Sequence, residues 1–167
     1  MFLRPILSRD RASLVTLLQR IDTFTDEERT VALELIDESI KRPEQSGYEC
    51  IVAAEPSEAT DAGDPEAEVI AGYLSYGRTP MTESTYDLYW VAVDPAHRGK
   101  GLGRKLCQAF EEHCRQADGH LIRVETSSQE AYSGTLQFYL DTGYIEGGRL
   151  PDFYKPGDDL VILYKQV

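Results

Sequence analysis

The run Val91-Ala92-Val93-Asp94-Pro95-Ala96-His97-Arg98-Gly99-Lys100-Gly101-Leu102-Gly103-Arg104-Lys105 holds a strand end, a turn and a helix start in one short stretch. Upstream, Tyr86 to Val93 is apolar at nearly every position, as a central strand covered on both faces should be. A turn containing Pro95 follows, and Gly99, Gly101 and Gly103 then open a helix. Glycine permits backbone conformations and close approaches that a Cβ blocks. Several N–H groups can therefore converge at the helix N-terminus, where the helix dipole also favours negative charge. Arg98, Lys100, Arg104 and Lys105 add positive charge to an otherwise acidic chain. The pattern points to a phosphate or pyrophosphate cradle; a glycine-rich tight turn with solvated charges is the plainer alternative.

Two familiar phosphate sites do not fit. A Walker loop needs Gly-Lys followed by Ser or Thr to hold magnesium, whereas Arg104, Lys105 and Leu106 follow Gly103. A dinucleotide fold needs Gly-x-Gly-x-x-Gly beside its first strand. Here the spacing is Gly99-x-Gly101-x-Gly103, and the loop lies mid-chain.

Working outward, Phe2 to Leu7 is expected as a first strand. Ser8 is placed to cap a helix with Leu14, Val15, Leu17, Leu18 and Ile21 at helical spacing. Thr25-Asp26-Glu27-Glu28 has capping-box spacing and starts a second helix carrying Val31, Ala32, Leu35, Ile36 and Ile40. Tyr48 to Ala54 and Val69 to Tyr76 are the next strands. Between them, residues 55–68 are rich in Glu, Asp, Ala, Pro and Gly and are expected as a mobile loop. Gly101 to Ala117 is a helix with Leu102, Leu106, Ala109, Phe110 and Cys114 in one stripe. Leu121 to Thr126 is a fifth strand. Ser127-Ser128-Gln129-Glu130 can box a further helix with Tyr132, Leu136, Tyr139 and Leu140 on one face, ended by Gly143. Two final strands are expected, Tyr144 to Leu150 and Leu160 to Lys165, joined by Pro151 to Asp159. The order βααβββαβαββ predicts a single α/β domain over 1–167. It has a central mixed sheet of about seven strands, about four flanking helices and a parallel pairing at the sheet centre.

Composition narrows the classes. The chain has 167 residues, 41% of them hydrophobic, and a net charge of -12. An acidic surface argues against general nucleic-acid binding and suits a cationic substrate. No apolar run is long enough to cross a membrane, and the N-terminus lacks a secretory signal, so the expected location is cytoplasmic. Cys50, Cys107 and Cys114 form no disulfide or zinc pattern, and His97, His113 and His120 share no metal-ligand spacing, so no metal is expected. The cysteines are expected in the core.

The loop Arg98-Gly99-Lys100-Gly101-Leu102-Gly103 resembles the signature of the GNAT superfamily of acetyltransferases: Arg or Gln, two variable residues, Gly, one variable residue, then Gly or Ala. The preceding Val91-Ala92-Val93-Asp94-Pro95 looks like that family's strand end. Phe138-Tyr139-Leu140-Asp141-Thr142-Gly143-Tyr144 resembles its later signature, and the element order is similar to its core. The resemblance covers essentially the whole chain. It implies acetyl-CoA as cosubstrate, with pyrophosphate on the N–H groups of Gly99, Lys100, Gly101, Leu102, Gly103 and Arg104 beside Arg98. The pantetheine arm would lie along Val91, Ala92 and Val93. Many members carry Asn where Tyr132 stands, near the same arm.

The resemblance further implies direct attack of an amine on the thioester within a ternary complex. Tyr139 would be the hydrogen-bond donor or acid to the departing sulfur; a core aromatic is the alternative. Asp87 is the candidate base, since a carboxylate in so apolar a strand would be pushed toward basicity; Glu125 and Glu83 are rivals. The expected acceptor is a small cationic amine, with Asp152, Phe153, Tyr154, Asp158 and Asp159 as a candidate acidic and aromatic grip and Tyr86, Tyr89 and Trp90 as further walls. A protein lysine or N-terminus, or a non-catalytic acyl-CoA-binding module, are the other readings. A homodimer stays open.

Overall fold

The computed structural model describes residues 1–57 and 68–167. Its elements are β1 (Phe2–Pro5), α1 (Arg11–Gln19), α2 (Asp26–Lys41), β2 (Tyr48–Pro56), β3 (Glu68–Arg78), β4 (Thr85–Val93), α3 (Leu102–Gln116), β5 (Leu121–Ser127), α4 (Ser133–Asp141), β6 (Ile145–Lys155) and β7 (Asp158–Gln166), with short 3-10 turns between some of them. This is the expected order. The strands form a seven-stranded mixed sheet in the order β1-β2-β3-β4-β5-β7-β6. Of the loop expected over 55–68, Glu55 and Pro56 belong to β2 and Glu68 opens β3; residues 58–67 lie outside the described residues.

The chain divides into two compact units. One comprises Met1–Tyr76 and Trp90–Phe110, the other Gly77–Tyr89 and Glu111–Val167. In the first, β1 runs antiparallel to β2, from Phe2↔Ala54 to Pro5↔Ile51. Leu14, Leu17 and Leu18 of α1 and Ala32 and Ile36 of α2 bury themselves with Val52, Ala54, Ile70, Tyr73 and Ala92. Each such leucine contributes about 1.5–3 kcal/mol by leaving water. The α2 capping box forms as expected: Glu28 N–H donates to Thr25 Oγ1 at 3.2 Å, and Thr25 N–H donates to the Glu28 carboxylate at 2.7 Å.

Ser8 does not cap α1: it opens a 3-10 turn, Ser8–Asp10, that puts Asp10 at the N-cap position. Asp10 accepts from Leu7 N–H at 2.7 Å and from Arg4 at 2.7 Å, charge-assisted bonds that fix the turn. Gly72 is required by packing: a Cβ there would sit 2.8 Å from the Ala92 carbonyl oxygen, with Leu102 and Leu106 beyond.

In the second unit, β4 pairs parallel with β5 from Thr85↔Leu121 to Leu88↔Val124. Strand β5 pairs antiparallel with β7, and β7 with β6. Leu88, Ile122, Val124, Val161 and Leu163 are buried. Helix α4 ends as Gly143 predicts. Gly143 has φ 92°, its N–H donates to the Leu140 carbonyl at 3.0 Å, and Tyr144 N–H donates to the Tyr139 carbonyl at 3.0 Å. These are the two bonds of a Schellman motif, and the Tyr139 and Tyr144 rings meet edge to face at 5.3 Å, its usual apolar contact.

Three expectations change here. The Ser127–Glu130 capping box does not form, because Ser127 Oγ donates to Asp158 at 2.5 Å and accepts from Gln129 N–H at 3.0 Å. Leu140 is exposed rather than on the buried face. The connection expected over 151–159 is mostly strand: β6 runs to Lys155, which pairs with Asp158 across a bulge that begins after Leu150.

Candidate functional site

In the first unit, β4 delivers the chain to Asp94, whose N–H donates to the Ala71 carbonyl of β3 at 2.9 Å. The Asp94 carboxylate then folds the turn after it, accepting from Ala96 N–H at 2.8 Å and pairing with Arg20 at 2.8 Å. An Asx-type bond followed by proline is what this sequence favours locally. His97 fixes the far side of the turn through Nε2, 2.9 Å from Glu55 of β2.

Gly99 and Gly101 follow with φ of 73° and 76°, and a Cβ on either would meet no heavy atom within 4 Å. These glycines are demanded by left-handed backbone, not by crowding. Lys105 N–H bonds back to the Gly101 carbonyl at 3.1 Å. The N–H groups of Leu102 and Gly103 precede that bond and, at a helix start, have no carbonyl one turn back. Arg98, Lys100, Arg104 and Lys105 are exposed around them. Two reach back to the turn: Arg98 Nε donates to the Val93 carbonyl at 3.4 Å and Lys100 Nζ to the Ala96 carbonyl at 3.2 Å. Val91 and Val93 are half-buried at the end of β4, with Ala92 buried between them. The donor set is one that a pyrophosphate fits: amides at a helix start, two left-handed glycines and four cations.

The second unit holds the remaining candidates. Tyr139 is 3% exposed, in ring contact with Phe138 and Tyr144. Tyr132 is half-buried at the end of the 3-10 turn before α4, on a different element from Tyr139. Asp87 is 6% exposed and accepts from Arg123 Nε at 2.7 Å, its register neighbour on β5. Hydrogen bonding to Asp87 raises the pKa of Arg123 above the usual guanidinium value, against a smaller opposing effect of burial. Arg123 also reaches Glu125 at 3.5 Å, so a half-exposed cation lies between a buried and an exposed carboxylate. Glu83 is exposed, with its carbonyl engaged by Arg78.

The expected hairpin grip is not built. Asp158 is buried and held by Ser127 and by Gln129 Nε2 at 2.5 Å. Asp152, at φ 55°, accepts from Gly157 N–H at 2.6 Å, while Asp159 accepts from Asp152 N–H at 3.0 Å and pairs with Arg149 at 3.3 Å. These carboxylates fold the hairpin's own backbone. Phe153 and Tyr154 stay about half exposed and contact one another. Tyr86 is also not a free wall: it is buried against His113, with Gly119 beneath its ring. Trp90 packs on Phe24 at 5.1 Å. The three cysteines are buried and none is in a disulfide, and burial pushes the Cys50 thiol up.

Thus Val91, Ala92, Val93 and the loop 98–104 share one unit, and Asp87, Tyr132 and Tyr139 the other. Sequence reasoning missed the Arg123–Asp87, Arg20–Asp94 and Glu55–His97 contacts, because each joins residues far apart in the chain. Among the described residues, no group of three or more His, Cys, Asp and Glu side chains is gathered to hold a metal, and no helix is long and apolar enough to cross a membrane.

The chain is similar to known proteins along most of its length. The sequence profile of the Acetyltransferase (GNAT) family matches residues 17–144. A solved structure assigned to GNAT-family acetyltransferases, from Desulfovibrio desulfuricans, superposes with a TM-score of 0.89 at 35% identity, covering 99% of this chain and 98% of that one. The L-methionine sulfoximine/L-methionine sulfone acetyltransferase of Salmonella typhimurium is 31% identical over 52% of this chain and 50% of its own. The N-alpha-acetyltransferase RimI of Mycobacterium tuberculosis is 29% identical over 51% of this chain and 49% of its own. The chain thus spans about half the length of the curated relatives it matches. A structure of yncA from Salmonella typhimurium with acetyl-CoA shares the fold, at a TM-score of 0.70, 21% identity and coverage of 99% and 93%. With its seven-stranded mixed sheet, its glycine loop between β4 and α3 and a profile match over residues 17–144, this chain belongs to the GNAT acetyltransferase family.

Proposed function

We propose that this chain is an acetyl-CoA-dependent N-acetyltransferase acting on a small amine. The observation that carries the reading is the loop 98–104, where left-handed Gly99 and Gly101 lead into the first amides of a helix, with four exposed cations in the same stretch. Bound acetyl-CoA supplies an activated thioester. An amine nitrogen bonds to the carbonyl carbon, the C–S bond breaks, the nitrogen gives up a proton, and the thiolate leaves with one.

The roles of this chain's residues follow from that balance. Amides of residues 99–104, with Arg98 and Lys100, would hold the pyrophosphate. Backbone at Val91, Ala92 and Val93 would bind the pantetheine amides and Tyr132 would lie along the arm. Tyr139 would donate to the departing sulfur; its burial suits a hydroxyl acting out of water. Asp87 or Glu125 would receive the amine's proton through water. Arg123 contacts both carboxylates, so removing either shifts the other's partner.

With the hairpin acids engaged in their own contacts, half-exposed Arg123 beside exposed Glu125 offers charges of both signs to a substrate. A guanidinium beside a carboxylate is the pattern a zwitterionic amino acid would match. The named activities of the Salmonella relative, and of the L-amino acid N-acyltransferase MnaT of Escherichia coli, favour that class.

The test is a screen of polyamines, aminoglycosides, amino acids and peptides with free N-termini, reading thiol release. Turnover confined to one class assigns the acceptor. Acetyl-CoA binding with no turnover on any of them, at millimolar amine and across pH 6 to 9, would favour a binding module instead. Asp87→Asn and Glu125→Gln, assayed on the accepted amine, separate the two bases.

A further inference from the structure

His97 makes a contact that the proposed chemistry does not use. Its Nε2 lies 2.9 Å from Glu55 Oε1, near the end of β2, while its Nδ1 is buried without a hydrogen-bond partner, 3.8 Å from Asp94 Oδ1. His97 closes the 3-10 turn Pro95–His97, one residue before Arg98 and two before the first left-handed glycine. The turn is also held by Asp94, which accepts from Ala96 N–H and pairs with Arg20, and by Lys100 on the Ala96 carbonyl. The His97–Glu55 bond therefore ties the entrance of the glycine loop to β2.

A loop that presents amides to an anion gains affinity when those amides are fixed beforehand, because binding then costs less ordering. We propose that His97 is a positioning residue: its link from the loop's entry turn to Glu55 sets the acetyl-CoA affinity of the loop 98–104. The inference rests on the acetyl-CoA reading of that loop.

The groups facing His97 are Glu55 from β2 and Asp94 from its own turn, with Arg20 from the C-terminal end of α1 on the far side of Asp94. With its proton on Nε2 the ring donates to Glu55.

The experiment compares wild type, His97→Ala and His97→Gln by acetyl-CoA calorimetry, by melting, and by kinetics on whichever amine is accepted. The glutamine amide N–H can still donate to Glu55. In His97→Ala the Kd and KM for acetyl-CoA rise roughly ten- to hundredfold, the worth of one hydrogen bond to a charged group. kcat at saturating acetyl-CoA stays within about twofold. His97→Gln recovers most of the affinity. His97→Ala binding like wild type overturns the inference, as does an equal loss in both variants or a fall in kcat with unchanged KM. Absence of acetyl-CoA binding in the wild type would instead remove the cofactor reading, and the positioning role with it.

Discussion

Replacing Gly101 with alanine separates backbone strain from crowding. Gly101 has φ 76°, and a Cβ there meets nothing within 4 Å. The cost is therefore conformational, about 1–2 kcal/mol for an L-residue in the left-handed region. That energy has two outlets. If the loop keeps its shape, the protein loses the whole amount in stability, and Tm falls by about 2–8 °C at 2–4 °C per kcal/mol for a chain of this size. If the loop relaxes to negative φ, the amides of Leu102 and Gly103 turn away, and acetyl-CoA Kd rises by roughly five- to thirtyfold at 1.4 kcal/mol per decade.

Gly47 supplies the control, with φ 72° and the same open space. Gly47→Ala should lower Tm by a similar amount and leave acetyl-CoA binding unchanged. Melting and calorimetry on both variants read the two outlets. A Gly101→Ala protein that melts and binds as wild type would refute the left-handed requirement. Equal binding losses in both variants would refute the placement of the site.

Three further outcomes are expected. Gly72→Ala pushes a Cβ to 2.8 Å from the Ala92 carbonyl, so stability should drop by about 1–3 kcal/mol, read by urea unfolding; a neutral result would mean that β3 and β4 can part freely. Burial raises the Asp10 pKa, but the bonds from Arg4 and Leu7 N–H outweigh it, leaving the value below the usual carboxylate range. With the folded value depressed, the contribution is present above about pH 4 and is lost as pH falls through the folded value. Urea midpoints from pH 5 to 2 should therefore drop more steeply for wild type than for Asp10→Asn. Tyr139→Phe keeps the ring that meets Phe138 and Tyr144 and removes only the hydroxyl. Its kcat should fall roughly a hundredfold or more while acetyl-CoA Kd and Tm change little; unchanged kcat would make Tyr139 a core aromatic alone.

What could be read from the sequence was local. The glycine loop, the Thr25 box and Gly143 each specify their own geometry within a few residues, so the element order and the loop followed directly. The Phe138–Tyr144 signature has a local cause too: Tyr139, Gly143 and Tyr144 are the bonded and contacting positions of a helix stop. What failed was competition from far along the chain. Ser127 matched a capping pattern but was taken by Asp158, and the turn at Ser8 is set by Asp10, whose carboxylate Arg4 holds. The acids of 152–159 looked like a grip for a cation because nothing local shows that a bulged hairpin consumes them. The cation paired with Asp87 could not be named from the sequence, because Arg123 becomes its neighbour only through the β4–β5 register.

The central claim is that the loop 98–104 binds the pyrophosphate of acetyl-CoA. The most direct measurement is calorimetric titration of the wild-type protein with acetyl-CoA and, in parallel, with S-acetylpantetheine, which carries the same thioester and arm but no pyrophosphate. The account predicts saturable one-to-one binding of acetyl-CoA that weakens as salt is raised, and far weaker binding of S-acetylpantetheine. Equal affinities for the two ligands, or no binding of acetyl-CoA at millimolar concentration, would contradict it.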